Sequence, residues 1–330
     1  MRTKDYITKY QPILNQVFKK ACQNNRLSHA YLLSGEPGTP LLKIAKYLAK
    51  CIICNEEEGV ACEECPACKR IENESYLDLI VVDGKKNGTI KKDEIAHILE
   101  AFDLTAIEKK GVQVYIINLV EIMRPEDEAV HTLLKFLEEP HPNVYAFLTT
   151  NNIERVLPTI ISRCQVLPVQ LRDRQSVIDE TLEIGVPLQN AQILSKLYND
   201  PEEIKEVAND PKCGKIISLF DTLVTEIKKR DNFPIFFVQK EIIPNIKDKE
   251  SARLFIDLLS ELFHEMVAKE NNMKSYLSSY DKILTTLKSV FINPVDCLYI
   301  TLDARTKIEV NVTISLILDH LMINLVKGSK

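Results

Sequence analysis

Five of the nine cysteines crowd into one stretch, at Cys51, Cys54, Cys62, Cys65 and Cys68. An odd total argues against a disulfide framework, and in a reducing compartment such a cluster points to a metal ion. Four thiolates suit zinc in a closed tetrahedral site with Zn–S bonds of about 2.3 Å. The two short spacings, Cys62-x2-Cys65-x2-Cys68, let successive sulfurs converge on one ion within a tight loop. Cys51 and Cys54 lie three residues apart at the end of an expected helix and compete for the fourth place. A site filled by four sulfurs keeps no open position for a substrate, so the ion is expected to be structural. Cys22, Cys164, Cys213 and Cys297 are scattered and read as buried thiols.

A second stretch has the place of a phosphate loop without its chemistry. The apolar run Ala30-Tyr31-Leu32-Leu33 enters Ser34-Gly35-Glu36-Pro37-Gly38, a strand meeting a turn. The pattern G-x-x-x-x-G-K-[ST] would begin at Gly35, but Pro40, Leu41 and Leu42 occupy its last three positions. Proline offers no N–H to a phosphate oxygen. Leu41 has no ammonium for the terminal phosphates, and Leu42 has no hydroxyl for magnesium. The other half of such a site is an acidic residue after the third strand. Here Asn118 stands in that position, followed by Leu119-Val120-Glu121. With both halves altered together, the chain is expected neither to bind nor to hydrolyse ATP on its own.

The elements that position these groups follow from periodicity. Five short apolar runs read as strands, at 30–33, 78–82, 112–117, 144–149 and 165–169. Helical patterns lie between them, at 41–53, 92–102 and 126–137. Strands alternating with helices imply a mostly parallel sheet covered on both faces. Residues 1–25 read as one amphipathic helical stretch with Ile7, Tyr10, Ile13, Leu14 and Val17 on its apolar stripe. After Val169 the pattern is helical almost throughout, interrupted at Gly185-Val186-Pro187, Pro201, Pro211, Pro234, Pro244 and Pro294.

Composition narrows the function classes. At 330 residues the chain is longer than one ordinary core, and 45% hydrophobic with 27% charged residues is the balance of a globular protein. No apolar run approaches the roughly 18 residues of a membrane span, and Met1-Arg2-Thr3-Lys4-Asp5 lacks the apolar core of a secretory signal, so a cytoplasmic protein is expected. A net charge of −5 gives no overall attraction for nucleic acid.

Several segments together resemble the delta-prime family of bacterial DNA polymerase III clamp-loader subunits. They are Leu27-Ser28-His29-Ala30-Tyr31-Leu32-Leu33-Ser34-Gly35, Leu133-Leu134-Lys135-Phe136-Leu137-Glu138-Glu139-Pro140, Thr149-Thr150-Asn151 and Ile161-Ser162-Arg163-Cys164. The resemblance covers roughly residues 1–210 by motif. It implies an α/β plus all-α architecture: an AAA+-like P-loop domain over 1–169 with an inserted zinc module at about 51–70, a small helical lid domain over 170–210 and a helical collar domain over 211–330. It places the zinc ligands at Cys54, Cys62, Cys65 and Cys68, so Cys51 is left out. It gives Arg163 a role in trans as an arginine finger for a neighbouring subunit's ATP site, and it puts Asn151 at a sensor position. The tau and gamma relatives carry an intact Gly-Lys-Thr loop and an Asp-Glu-Ala-Asp motif. The degenerate loop of Gly35, Gly38, Pro40, Leu41 and Leu42 sets this chain apart from them, as an inactive subunit. Its implied partners are the delta and tau/gamma subunits in a hetero-oligomer, with the sliding clamp and primed DNA reached through the complex.

Other features have plainer readings. Glu56-Glu57-Glu58 reads as a solvated loop, and Lys85-Lys86 with Lys91-Lys92 as a solvated basic turn. His29, His131 and His320 show no metal spacing. Glu138 and Glu139 read as structural pairing or capping groups, and Arg163 outside its motif would be a solvated loop arginine. Two rival functions stand beside the clamp-loader reading. One is an active AAA+ ATPase with a divergent loop, which Pro40, Leu41 and Leu42 oppose. The other is a zinc-containing DNA-binding module, which the acidic charge and the lack of an aromatic-plus-basic stripe oppose.

Overall fold

The computed structural model describes residues 2–54, 59–84, 90–102, 106–108, 110–226, 233–290, 293–309 and 312–327. The chain divides into two compact units, Met1–Arg172 and Asp173–Lys330.

The first unit is built on five parallel strands: β1 (Ala30–Ser34), β2 (Leu79–Asp83), β3 (Gln113–Asn118), β4 (Val144–Thr150) and β5 (Gln165–Pro168). Their order across the sheet is β2-β3-β4-β1-β5. All four pairings are parallel, with Leu32 opposite Leu148 on one side and Val166 on the other. Successive side chains point to opposite faces, and both faces are apolar. Tyr31 and Leu33 of β1 join Val114, Ile116, Phe147 and Leu167 in one core, against the helix Leu41–Ile53. Ala30 and Leu32 join Tyr115, Ile117, Ala146 and Leu148 in the other, against the helices Lys92–Phe102 and Glu128–Glu138. The sheet is therefore covered on both sides, as its near-continuous apolar runs require.

The N-terminal stretch departs from its expected stripe. Instead of one helix it forms Thr3–Tyr10 and Pro12–Gln23, interrupted at Gln11. Proline at position 12 starts the second helix, and the interruption rotates it relative to the first. Its buried residues are Leu14 and Phe18, whereas Ile13 is 71% exposed and Val17 43%. Phe18 packs on Tyr31 at 5.4 Å between ring centroids, and Tyr31 stacks on Phe147 at 5.5 Å. Gln11 is buried at the break. It donates to the Gln170 carbonyl at 2.7 Å and accepts from the Gln170 N–H at 3.0 Å.

The second unit is all helix among its described residues. The prolines that interrupt the pattern mostly begin helices: Pro201–Asn209, Pro211–Glu226 and Pro294–Glu309 each start on one. Aspartates cap others. Asp173 accepts from the Ser176 N–H at 3.2 Å and Asp248 from the Ser251 N–H at 2.9 Å. The helix Lys249–Glu270 is the longest described and buries thirteen of its residues. A single apolar cluster runs from Val177 through Phe255 and Phe263 to Leu325.

Candidate functional site

The cysteine loop closes on itself. Cys54 ends the helix Leu41–Ile53, Cys65 caps the helix Pro66–Glu72 and Cys68 lies in that helix. The sulfurs of Cys54, Cys62, Cys65 and Cys68 all lie within 4.8 Å of one another. Cys54 Sγ is 3.6 Å from Cys62 Sγ, which is 3.9 Å from Cys68 Sγ. Four sulfurs at 2.3 Å from a tetrahedral ion would be about 3.8 Å apart, so these edges fit zinc. Cys51 is not among the four. It is 3% exposed, and burial pushes its thiol far up. The four-cysteine cluster can bind a metal ion.

The loop backbone is arranged for sulfur anions. Glu63 takes a left-handed φ of 60°. The Cys65 N–H then donates to Cys62 Sγ at 3.3 Å and the Cys68 N–H to Cys65 Sγ at 3.5 Å. Burial opposes ionisation of Cys62, but the Glu64 and Cys65 N–H groups outweigh it and bring the thiol down to about 7. Burial raises Cys65 and Cys68 instead. A bound cation would have to supply the stabilisation that these two thiolates lack.

Ion pairs brace the loop from outside. The Lys50 ammonium, 4% exposed, lies 3.6 Å from Glu63 and also pairs with Glu72. It thus joins the knuckle after Cys62 to the helix that carries Cys68. Arg2 pairs with Glu64 at 2.8 Å, and the Lys4 N–H donates to Glu63 at 3.1 Å. Arg70 makes a two-pronged pair with Glu108 at 3.0 and 2.6 Å, and Asp78 accepts the N–H groups of Ile107 and Glu108. Sequence reading missed Lys50, although it stands one helical turn before Cys54 on the same face.

The turn after β1 is filled by its own residues. Gly35 N–H donates to the Thr150 carbonyl, Thr39 N–H to Glu36 and Leu41 N–H to Thr39, at 3.1, 3.1 and 2.8 Å. Gly38 adopts φ 91°, where a side chain would be strained. A Cβ at Gly35 would lie 3.1 Å from Leu41 Cδ2 and 3.2 Å from Thr39 Cγ2, so these side chains close over the turn. Leu41 is 3% exposed and belongs to the core beneath; Leu42 packs against its edge. Pro40 caps the helix Leu41–Ile53 without a side-chain bond.

At the ends of β3 and β4 the polar groups bond to each other. Asn118 donates to Asp83 Oδ1 at 2.7 Å and accepts from Thr149 Oγ1 at 2.6 Å. Asn151, the expected sensor residue, donates its backbone N–H at 2.8 Å to Oε1 of Glu121, three residues beyond Asn118.

Arg163 follows the short helix Pro158–Ile161 and is held from two sides. Its Nη1 donates to the Thr159 carbonyl at 2.8 Å, and its Nη2 donates to Glu138. Sequence reading gave Glu138 a pairing role without naming the partner. Lys92 pairs with Glu128 at 2.6 Å. Glu56, Glu57, Glu58, Lys85 and Lys86 lie outside the described residues.

A parallel sheet in this order, with a turn and helix after β1 and polar groups at the ends of β3 and β4, defines an AAA+-type P-loop fold. The same fold is found in a DNA polymerase III gamma subunit-related protein of Thermotoga maritima, with a TM-score of 0.52, 18% identity, and coverage of 97% of this chain and 99% of that one. Residues 10–173 match the family described as "DNA polymerase III, delta subunit". The chain is 31% identical to DNA polymerase III subunit delta' of Bacillus subtilis (strain 168) over 96% of its own length and 97% of the relative's. It is also 34% identical to the tau subunit of the same organism, over 51% of this chain and 29% of that protein. The chain belongs to the delta-prime family of DNA polymerase III clamp-loader subunits, and its role lies in DNA replication.

Proposed function

We propose that this chain is the ATPase-inactive delta-prime subunit of a bacterial sliding-clamp loader, and that it completes a neighbouring subunit's ATP site with Arg163. The carrying observation is the filled turn after β1. The N–H groups of Gly35, Thr39 and Leu41 already have protein acceptors, Pro37 and Pro40 have none to give, and Leu41 is buried where the phosphate lysine would stand. Phosphate binding there would require breaking those bonds and lifting an apolar side chain into contact with charge.

The remaining assignments follow from that reading. Cys54, Cys62, Cys65 and Cys68 would hold one structural zinc. The helices between Arg174 and Asn209 would form the lid and those from Pro211 onward the collar. The partners would be delta and tau or gamma, with the clamp and primed DNA engaged by the cytoplasmic hetero-oligomer. Arg163 is a third exposed, at the rim of the first unit, and needs only a partner surface to meet a phosphate. A guanidinium there would neutralise charge that develops on the transferring group.

The experiment is a loader reconstituted with Arg163→Ala. The variant should fold and assemble, and turnover at the site it completes should fall about 10³–10⁵-fold. Lysine should rescue poorly, because an ammonium lacks the planar fork of donors. Normal turnover would remove the finger, and failure to assemble would make Arg163 an interface residue instead. Calorimetry of the isolated chain with Mg-ATP should show no saturable heat at micromolar protein; saturable binding would overturn the inactive-subunit reading.

A further inference from the structure

Two motifs far apart in sequence meet at Arg163. Leu133 to Pro140 carries Glu138, and Ser162-Arg163-Cys164 carries the arginine 25 positions later. Glu138 is the last residue of the helix Glu128–Glu138. A carboxylate there faces the negative end of the helix dipole, an unfavourable place unless a cation answers it. Arg163 Nη2 supplies that cation.

The second anchor lies on the other terminal nitrogen. Arg163 Nη1 donates to the Thr159 carbonyl at 2.8 Å and reaches Ser162 Oγ at 3.4 Å. A guanidinium is planar and has five N–H groups, so these contacts leave two of them for an outside acceptor. One anchor alone would let the plane swing about the Nη1 bond. Two anchors, one on each terminal nitrogen, fix its orientation. A long arginine otherwise loses much rotamer freedom when it engages a ligand, and holding it beforehand moves that loss out of the reacting state.

We propose that Glu138 is the positioning residue for Arg163, fixing its guanidinium in the orientation that a neighbouring subunit's triphosphate meets. This rests on the finger reading of Arg163. Glu138 itself touches no nucleotide, so its removal should act only through the arginine and only on the rate of the chemical step. Thr159 contributes a backbone carbonyl, which no side-chain substitution removes, so Glu138 is the adjustable anchor.

The test is a reconstituted loader carrying Glu138→Ala, Glu138→Gln, Arg163→Ala or the double Glu138→Ala/Arg163→Ala, with thermal unfolding measured on each subunit alone. Glu138→Ala should lower kcat for DNA-stimulated ATP turnover several-fold, with the KM for ATP little changed. Glu138→Gln, which keeps an oxygen acceptor at the same reach, should recover most of that loss. In the Arg163→Ala background, Glu138→Ala should add nothing. Unchanged or increased kcat in Glu138→Ala, alongside a loss in Arg163→Ala, would overturn the positioning role and leave the finger standing. A further loss in the double variant would overturn it too, since Glu138 would then act by another route. Normal kcat in Arg163→Ala would instead overturn the finger, and the positioning role with it.

Discussion

Two clusters of metal-type ligands are present among the described residues, and they differ in what occupies the centre. Cys54, Cys62, Cys65 and Cys68 form one, in the first unit; Glu261, His264 and Glu265 form the other, on the helix Lys249–Glu270 of the second. In the thiol cluster the donated N–H groups come from the rim, and the sulfur edges of 3.6 and 3.9 Å fit an ion in the middle. In the carboxylate cluster a cation is already built in. Arg174 Nη1 lies 2.5 Å from Glu261 and 3.3 Å from Glu265, and its Nε donates to Ser195 Oγ at 3.0 Å. The second oxygen of Glu265 accepts from Ser275 Oγ and the Tyr276 N–H. Ligand type and spacing alone do not make a metal site; the position of the nearest fixed cation decides between an ion and an ion pair. Lys50 shows the contrast within the first unit, because it pairs with Glu63 and Glu72 and leaves the sulfurs clear.

The largest test of that contrast removes a sulfur. Cys68 is 1% exposed and lies in the core beneath the loop. Cys68→Ser should abolish zinc binding and destabilise the first unit by ~5 kcal/mol, the scale on which loss of a structural metal acts. Cys51→Ser should keep one equivalent of zinc. Metal analysis with thermal unfolding checks both. Two equivalents in the unaltered protein, one of them surviving Cys68→Ser, would break the comparison, because the carboxylate cluster would then be a metal site as well.

Removing the built-in cation should come next in size. Arg174→Met leaves two carboxylates, each with a side chain at most 2% exposed, without their guanidinium. Stripping one partner from a buried pair typically costs about 3–5 kcal/mol. Denaturant unfolding of the full chain measures it. A loss below about 1 kcal/mol would mean that water or protonation already compensates the pair.

Much of this architecture was legible in the sequence, and the illegible part has a common cause. All five strands and the helix Leu41–Ile53 follow from local apolar periodicity, because a sheet buried on both faces admits only apolar runs. The cysteine cluster was legible because three of its sulfurs sit within seven residues. The N-terminal stripe misled because Pro12 breaks the helix, and the break turned Ile13 and Val17 outward while Phe18 went in. Glu138 with Arg163, Lys50 with Glu63 and Glu72, and Arg174 with Glu261 and Glu265 are pairings across 13 to 91 positions. Charged side chains carry no periodic mark of the partner they will meet, so those contacts needed the fold.

The smallest effect sharpens the comparison through pH. Burial pushes the Glu261 carboxyl from its ordinary 4.5 up to about 7, against the pull of Arg174. A carboxyl raised in the folded state binds a proton there that the unfolded chain has already released. Its stabilising contribution is therefore complete below the unfolded value near 4.5 and is lost as pH rises through about 7. The midpoint temperature of the full chain should accordingly fall between pH 5 and pH 8. Glu261→Gln, which cannot titrate, should flatten that descent while keeping an oxygen for Arg174 to face. The thiol cluster, once filled, should contribute in the opposite direction. Its ligands must lose protons to hold the ion, so zinc binding strengthens as pH rises. Measuring the slope with and without a chelator separates the two contributions. If the slope survives in Glu261→Gln, the carboxylate stays ionised throughout, and Arg174 fills the cluster as completely as zinc would fill the other.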